Sequence, residues 1–194
     1  MIRAQRTRAR EDLPRGRDFT LADLEITPMR RRHLRGVLAI EEQVFSTPWS
    51  HALFLSELGQ PATRGYQVAR VGQDVVGYGG IMLVVGEAHI NTIGVLPTYQ
   101  HRGIGRLLLW HLAHDARDRG AFALTLEVRV SNEPAQALYR EFGFAPAGVR
   151  KGYYIDPGTS TREDALIMWA NDVDGPDFAR RLDRIESDLP ERGR

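Results

Sequence analysis

The apolar positions change period several times along the chain, and each change marks an element. Leu24 to Thr27 reads as a short strand, after which Leu34, Val37 and Leu38 recur at helical spacing, with Phe45 at the end of the same stripe. Pro48 interrupts that helix. Ser50 stands as the N-cap of a second short helix carrying Leu53, Phe54 and Leu58, so residues 45–50 form a corner between helices. From Tyr66 the pattern turns to β: Tyr66 to Val71, a Gly72-Gln73-Asp74 turn, Val75 to Val85 and Ala88 to Val95 form an antiparallel meander. Pro97 ends it, and Ile104 to Arg117 returns to helical spacing through Leu107, Leu108, Trp110, His111 and Leu112 until Gly120. Phe122 to Val130 alternates Leu124, Leu126, Val128 and Val130 with Thr125, Glu127 and Arg129, which puts those three polar residues on one face of a strand. Pro134 starts a helix to about Glu141. Phe144 to Ile155 and Ala165 to Ala170, divided by Asp156-Pro157-Gly158, are the last β segments.

The sum is an α+β domain without internal repeats, expected over residues 23–170. Residues 1–22 hold Arg3, Arg6, Arg8, Arg10, Arg15 and Arg17 without the apolar segment a secretory signal needs, and read as a flexible basic arm. Residues 171–194 are polar with Phe178, Leu182 and Ile185 at helical intervals, so a peripheral helix or a disordered tail is expected there. Composition narrows the function. The net charge of +1, from 26 basic against 25 acidic residues, gives no global field for nucleic acid or membrane, although the arm leaves RNA contact open. No apolar run approaches the roughly 18 residues of a membrane span. The chain has no cysteine, which excludes disulfides, thiolate metal sites and a cysteine acyl-enzyme, and fits the cytoplasm.

The most specific segment is Ile93-Gly94-Val95-Leu96-Pro97-Thr98-Tyr99-Gln100-His101-Arg102-Gly103-Ile104-Gly105-Arg106, a strand end leading through glycines into a helix. Unpaired amides at a helix N-terminus converge on an anion, glycines remove the side chains that would hold a pyrophosphate away, and Arg102 and Arg106 add charge. On spacing alone a simple tight turn fits the same residues. A Rossmann site is disfavoured, because the loop follows a meander and lacks the third glycine. The segment resembles the Q/R-x-x-G-x-G/A loop of the GNAT acetyltransferases, met by Gln100, Gly103 and Gly105. The resemblance implies a mixed sheet of about seven strands, splayed in the middle and flanked by about four helices, with acetyl-CoA as cosubstrate and no metal. It places Ile93, Gly94 and Val95 along the pantetheine arm and His101 to Arg106 around the phosphates. Gly94 alone fits a close approach or a packing glycine equally.

Leu126-Glu127-Val128-Arg129-Val130-Ser131-Asn132, continuing through Ala135, Leu138-Tyr139 and Gly143-Phe144, is similar to the RimI enzymes, which share an L-E-V-R strand, an S-N turn and an A-x-x-L-Y-x-x-x-G-F helix. Acetyl transfer to an amine of pKa about 7.7 to 8.0 needs a group to take its proton and one to protonate the departing thiolate. The resemblance implies Glu127 as general base, Tyr139 as general acid and Asn132 as a cofactor contact. On pattern alone the first two are a wet-face charge and a core-capping aromatic, and Asn132 is a helix cap.

Pro48-Trp49, Lys151-Gly152-Tyr153-Tyr154 and the stretch from Arg162 to Met168 extend the resemblance over about residues 24 to 170. It implies that Trp49, Tyr153 and Tyr154 flank the acceptor, a protein N-terminus, which in that family is the N-terminal alanine of small-subunit ribosomal protein eighteen. Packing under loops is the plainer reading of the same aromatics. The loop 156–161 and both extensions differ from the family, which leaves the acceptor open to lysine side chains or small amines. A coenzyme A-binding or ribosome-associated module without catalysis is a further alternative. His111 and His114 lie three apart on a helix without a ligand set for zinc, and read as surface or packing residues.

Overall fold

The computed structural model describes residues 20–156 and 158–189. Seven strands form one mixed sheet: β1 (Leu24–Pro28), β2 (Arg64–Val71), β3 (Asp74–Val84), β4 (Glu87–Val95), β5 (Ala123–Arg129), β6 (Ala145–Ile155) and β7 (Arg162–Asn171). Their spatial order is β1-β2-β3-β4-β5-β7-β6. Neighbours are antiparallel except β4 and β5. The meander expected from Tyr66 onward is therefore the first half of the sheet.

The parallel pair joins the halves only through Glu87, Ala88 and His89 against Ala123, Leu124 and Thr125. Beyond His89, β4 keeps its pairing with β3 and β5 keeps its pairing with β7, so the sheet opens into a V. A register shift lies at this point: Gly80 pairs with Thr92 and Ile81 with Ile90, which leaves Asn91 as an extra residue in β4. Such a bulge bends the strand that carries it and increases its twist. Here it turns β4 away from β5.

Five α-helices surround the sheet, one more than expected: α1 (Leu34–Val44), α2 (His51–Leu58), α3 (Ile104–Asp118), α4 (Glu133–Glu141) and α5 (Pro176–Ser187). Helix α1 covers β3 and β4 on one face, and α3 covers β2, β3 and β4 on the other. Helix α3 lies almost on the backbone of β3. A Cβ at Gly77 would meet Ile104 and Leu108 at 3.2 Å, and one at Gly79 would meet Leu112 at 2.9 Å. Leu107, Leu108, Leu109 and Leu112 are fully buried beneath it. At about 25 cal/mol per Å2 of apolar area, each such leucine contributes roughly 1.5–3 kcal/mol.

The additional helix is α5. Its Phe178, Leu182 and Ile185 are buried, as is Leu189 beyond it, and Trp110 of α3 donates its indole N–H to the Leu182 carbonyl at 3.2 Å. Of the two expectations for the tail, the peripheral helix is the one found, and its one-sided apolar stripe is accommodated by the outer surface of α3. The corner between α1 and α2 is as expected, with Ser50 accepting from the Leu53 amide at 3.2 Å. No helix among the described residues is long and apolar enough to cross a membrane. Residues 1–19 of the basic arm and Pro157 of the final turn lie outside the described residues.

Candidate active site

The V between β4 and β5 is the mouth of a cleft of about 580 Å3, lined from β4 by His89 and Thr92, from β5 by Glu127 and Arg129, and from helices and loops by Glu41, Trp49, Asn132, Tyr139, Tyr153 and Tyr154. Of the residues singled out from sequence, Glu127, Tyr139, Asn132, Trp49, Tyr153, Tyr154 and Ile93 all meet in this one space.

Glu127 is nearly buried, with 8% of its side chain exposed. One carboxylate oxygen lies 2.9 Å from His89 Nε2 and the other 2.9 Å from an Arg150 guanidinium nitrogen. The hydrogen bond from His89, reinforced by the Arg150 charge, outweighs burial and holds this carboxyl below the ordinary glutamate range. It is ionised at neutral pH. No local pattern marks His89, because the register that brings β4 against β5 is set by the rest of the sheet.

Tyr139 points into the cleft from α4, its ring 5.9 Å from Phe144. Burial raises its phenol pKa above the ordinary value. No described residue hydrogen-bonds its hydroxyl, so the proton is free to be donated. The helix is fixed at both ends of its first turn. Asn132 Oδ1 accepts from the Ala135 amide at 3.2 Å, and the buried Gln136 donates to the carbonyls of Arg129 and Val130 at 3.1 and 2.9 Å. Gln136, unnoticed in the sequence, sets α4 against the end of the Glu127 strand.

The side of the cleft toward α1 and the Trp49 corner is built around a second buried carboxyl. Glu41 is 2% exposed and accepts from the Trp49 amide at 2.5 Å and from the Tyr78 hydroxyl, which also contacts Thr92 Oγ1 at 3.0 Å. Burial pushes Glu41 up to about 7. Its sequence signal was present: Glu41 continues the apolar stripe Leu34, Val37, Ile40 on the inward face of α1. Trp49 lines the cleft and packs on Phe54 at 5.4 Å. Tyr154 donates to the Glu127 carbonyl at 3.1 Å with the Arg129 guanidinium 4.3 Å above its ring, and burial pushes its phenol up to about 12. Tyr153 is 47% exposed beside it.

The glycine loop stands at the entrance of α3. Gly103 is the N-cap in the left-handed region (φ 82°), with no side chain capping the helix, whereas Ser50 and Asn132 cap α2 and α4. The first amides of α3, at Ile104, Gly105 and Arg106, thus have neither an intrahelical acceptor nor a side-chain cap. Ile104 buries its side chain against Gly77, which leaves its backbone to face outward. Gln100 returns its amide to the Val95 carbonyl at 3.0 Å and His101 sits at φ 59°, so both shape the loop. Arg102 lies 5.9 Å from the Tyr99 ring. Arg106, expected to face the phosphates, instead pairs with Glu141 at 2.6 Å and Asp188 at 3.3 Å, tying α3 to α4 and the end of α5.

On β4, Gly94 lies against α1: a Cβ there would meet Tyr78 at 2.9 Å and Ile40 and Phe45 at 3.1 Å. Leu96 donates its amide to the Val76 carbonyl. Strand alternation therefore turns the backbone groups of Ile93 and Val95 toward the open edge of the V. His114 Nε2 is buried without a hydrogen bond and its ring lies 4.2 Å from that of Trp110. Among the described residues no group of three or more His, Asp or Glu is placed to hold a metal.

With this geometry established, similarity to known proteins takes on a residue-level meaning. Residues 34–144 match the family model of the Acetyltransferase (GNAT) family. The [ribosomal protein bS18]-alanine N-acetyltransferase of Escherichia coli is 38% identical over 149 residues, covering 77% of this chain and 95% of that enzyme. The N-alpha-acetyltransferase RimI of Mycobacterium tuberculosis is 44% identical over 135 residues, covering 66% of this chain and 80% of that one. The solved ribosomal-protein-S18-alanine N-acetyltransferase from E. coli superposes with a TM-score of 0.70 at 34% identity, over 77% of this chain and 94% of that one. Arabidopsis thaliana NAA60, solved in complex with acetyl-CoA, shares the fold with a TM-score of 0.69 at 18% identity, over 76% and 98% of the two chains. The chain belongs to the GNAT acetyltransferase family, among its RimI-type members, and is an acyltransferase.

Proposed function

We propose that this acyltransferase moves the acetyl group of acetyl-CoA to the N-terminal α-amino group of a protein, the N-terminal alanine of ribosomal protein S18 being the acceptor that its relatives indicate. The observation that carries the mechanism is the convergence, in one cleft, of an ionised carboxylate held by an imidazole and a guanidinium and a phenol with an unengaged hydroxyl. The reading puts the enzyme in the cytoplasm, with its acceptor.

The coenzyme's pyrophosphate would sit on the bare amides of Ile104, Gly105 and Arg106, and its pantetheine arm would run along the open edge offered by Ile93 and Val95. The acceptor peptide would enter from the other side, between Trp49 and Tyr153-Tyr154. Its amine, freed of a proton by Glu127 directly or through one water, attacks the thioester carbonyl carbon. A backbone amide near Val95 stabilises the oxyanion. As the C–S bond breaks, the sulfur takes the electron pair and the Tyr139 proton, and the second proton lost by the acylated nitrogen returns through water to the Tyr139 phenolate. No covalent enzyme intermediate is needed, and positioning in the ternary complex supplies much of the rate.

Glu127 and His89 share the work of the base. A carboxylate below the ordinary range is a weak base alone, but the imidazole at 2.9 Å gives the arriving proton a second site. The test is mass spectrometry of peptides incubated with enzyme and acetyl-CoA. A peptide with a free N-terminal alanine gains one acetyl group, and the same peptide blocked at its N-terminus but carrying lysine does not. Acetylation of the blocked peptide alone would redirect the reading to lysine, and no transfer to any amine would overturn it.

A further inference from the structure

The entrance of α1 carries a charge arrangement that neither the coenzyme loop nor the acceptor cleft uses. Arg30, Arg31, Arg32 and Arg35 fall within six positions, and all four are exposed. The first turn of α1 contains no acidic residue. Among the described residues none of these four forms an ion pair. Glu25, whose charge reaches this corner, is already bonded to Arg70 at 2.5 Å, and the buried Arg70 Nε has no partner. The chain has 25 acidic residues against 26 basic ones, so the excess here comes from placement rather than composition.

The placement works against the helix. Cations at an N-terminus oppose the helix dipole, and like charges three or four positions apart repel. Both penalties are removed when an anion binds. Arg32 donates its Nε–H to His33 Nε2 at 3.1 Å, and none of the four meets a carboxylate. Guanidinium forks without an anionic partner match phosphate oxygens in geometry and charge, and a row of them fits a chain of phosphates better than an isolated one. A lipid surface is the poorer fit, because Leu34, Val37 and Ile40 are committed to the core and α1 offers no apolar face to insert.

We infer that the Arg30–Arg35 corner is a docking surface for the phosphate backbone of RNA. The α-helical rise puts Arg35 about 9 Å along α1 from Glu41, and none of the four arginines lines the cleft, so RNA held at this corner would be within about two helical turns of the cleft. A substrate whose N-terminus projects from an RNA-bound particle would thus be presented to the cleft. The docking goes beyond the acetyltransfer reading and does not depend on it.

The test uses the full-length chain and two variants, Arg30→Gln/Arg31→Gln/Arg35→Gln and the same three positions changed to Lys. Binding of fluorescein-labelled polyuridylate is followed by anisotropy across a salt series, with vesicles of phosphatidylcholine and phosphatidylglycerol as a second arm. The wild type binds RNA with strong salt dependence. The Gln variant binds more than tenfold more weakly at low salt, its log–log salt slope shallower by about 2, from three lost contacts at roughly 0.7 each. The Lys variant keeps most of the slope, and neither variant melts below the wild type or acetylates a free peptide more slowly. An unchanged slope in the Gln variant, no RNA binding by the wild type, or binding to vesicles but not RNA would overturn the inference. Loss of peptide acetylation in the wild type would count against the proposed function instead.

Discussion

Removing the groups that hold Glu127 should displace the acid limb of the rate profile upward, in proportion to how closely each is engaged. Arg150 lies 2.9 Å from one carboxylate oxygen, but 54% of its side chain is exposed. Two unit charges at that separation interact by about 1.4 kcal/mol in water, roughly one pKa unit, and salt, with a Debye length of about 8 Å, reduces this to about 0.7 of that value. Arg150→Gln should therefore raise the Glu127 pKa by about 0.7 to 1. His89 supplies the larger effect, since its hydrogen bond is the leading cause of the depression. His89→Gln should move the limb further while also lowering the plateau, because the second site for the proton is lost. The sign follows from the protonation state: an opposite charge favours the carboxylate, so without it Glu127 takes up a proton at higher pH and the base form disappears sooner as pH falls. The assay is kcat for an alanine-starting peptide between about pH 5 and 9, because kcat reports groups in the bound complex. At neutral pH Arg150→Gln should change the rate little. If neither variant moves the acid limb, or if it moves downward, Glu127 is not the group whose ionisation governs the step.

Tyr139→Phe should lower kcat by about 10² to 10⁴, the usual range for a lost general acid, with the KM for acetyl-CoA little changed in steady-state kinetics. Gly103→Ala should cost about 1–2 kcal/mol for a side chain at φ 82° with Leu21 3.0 Å away, and should weaken coenzyme binding measured by calorimetry more than it slows the bound complex. Glu41→Gln should alter stability in a pH-dependent way. A carboxyl raised from 4.5 to about 7 contributes stability that is fully present below pH 4.5 and lost as pH rises through 7. That loss is roughly 3 kcal/mol at about 1.36 kcal/mol per pKa unit, and the variant lacks it. Thermal melts at about pH 5 and pH 8 should therefore converge in Glu41→Gln relative to the wild type.

The elements whose form is dictated locally were legible in the chain itself. Ser50 caps α2, the alternation around Glu127 gives β5 with its polar face to the cleft, and the Gly103-Ile104-Gly105 entrance gives an uncapped helix end. What the chain does not display is register. His89 meets Glu127 only because β4 and β5 pair over three residues and then part at a bulge, and no local pattern encodes that pairing. Arg106 shows the same limit. Its position predicts a phosphate contact, and nothing local in the chain announces that two carboxylates from α4 and the end of α5, distant in sequence, also bond its side chain. Helix α5 was ambiguous for a thermodynamic reason: a short, highly charged amphipathic segment is marginal alone and becomes a helix when α3 receives its apolar side.

The two sides of the cleft are held by different physics, and that difference bears on how the enzyme would tolerate change. On the side proposed for the coenzyme the groups that would bind it are backbone amides fixed by φ angles and by α3 lying on the bare backbone of β3, so only substitutions that add a Cβ there, at Gly77, Gly79 or Gly103, disturb them strongly. On the acceptor side the walls are side chains joined by polar contacts between separate segments: Glu41 to the Trp49 amide, Arg129 to Ser46 at 3.0 Å and Tyr154 to the β5 backbone. Polar contacts of this kind are lost when one partner is truncated, at a net cost of about 0.5 to 1.5 kcal/mol each. They are also the easier to rebuild with other residue pairs. It follows that acceptor preference can drift through changes at Ser46, Trp49, Arg129 or Tyr153 while the coenzyme side stays fixed. A shift in the preferred acceptor residue without a change in acetyl-CoA affinity is what substitutions at those four positions should produce.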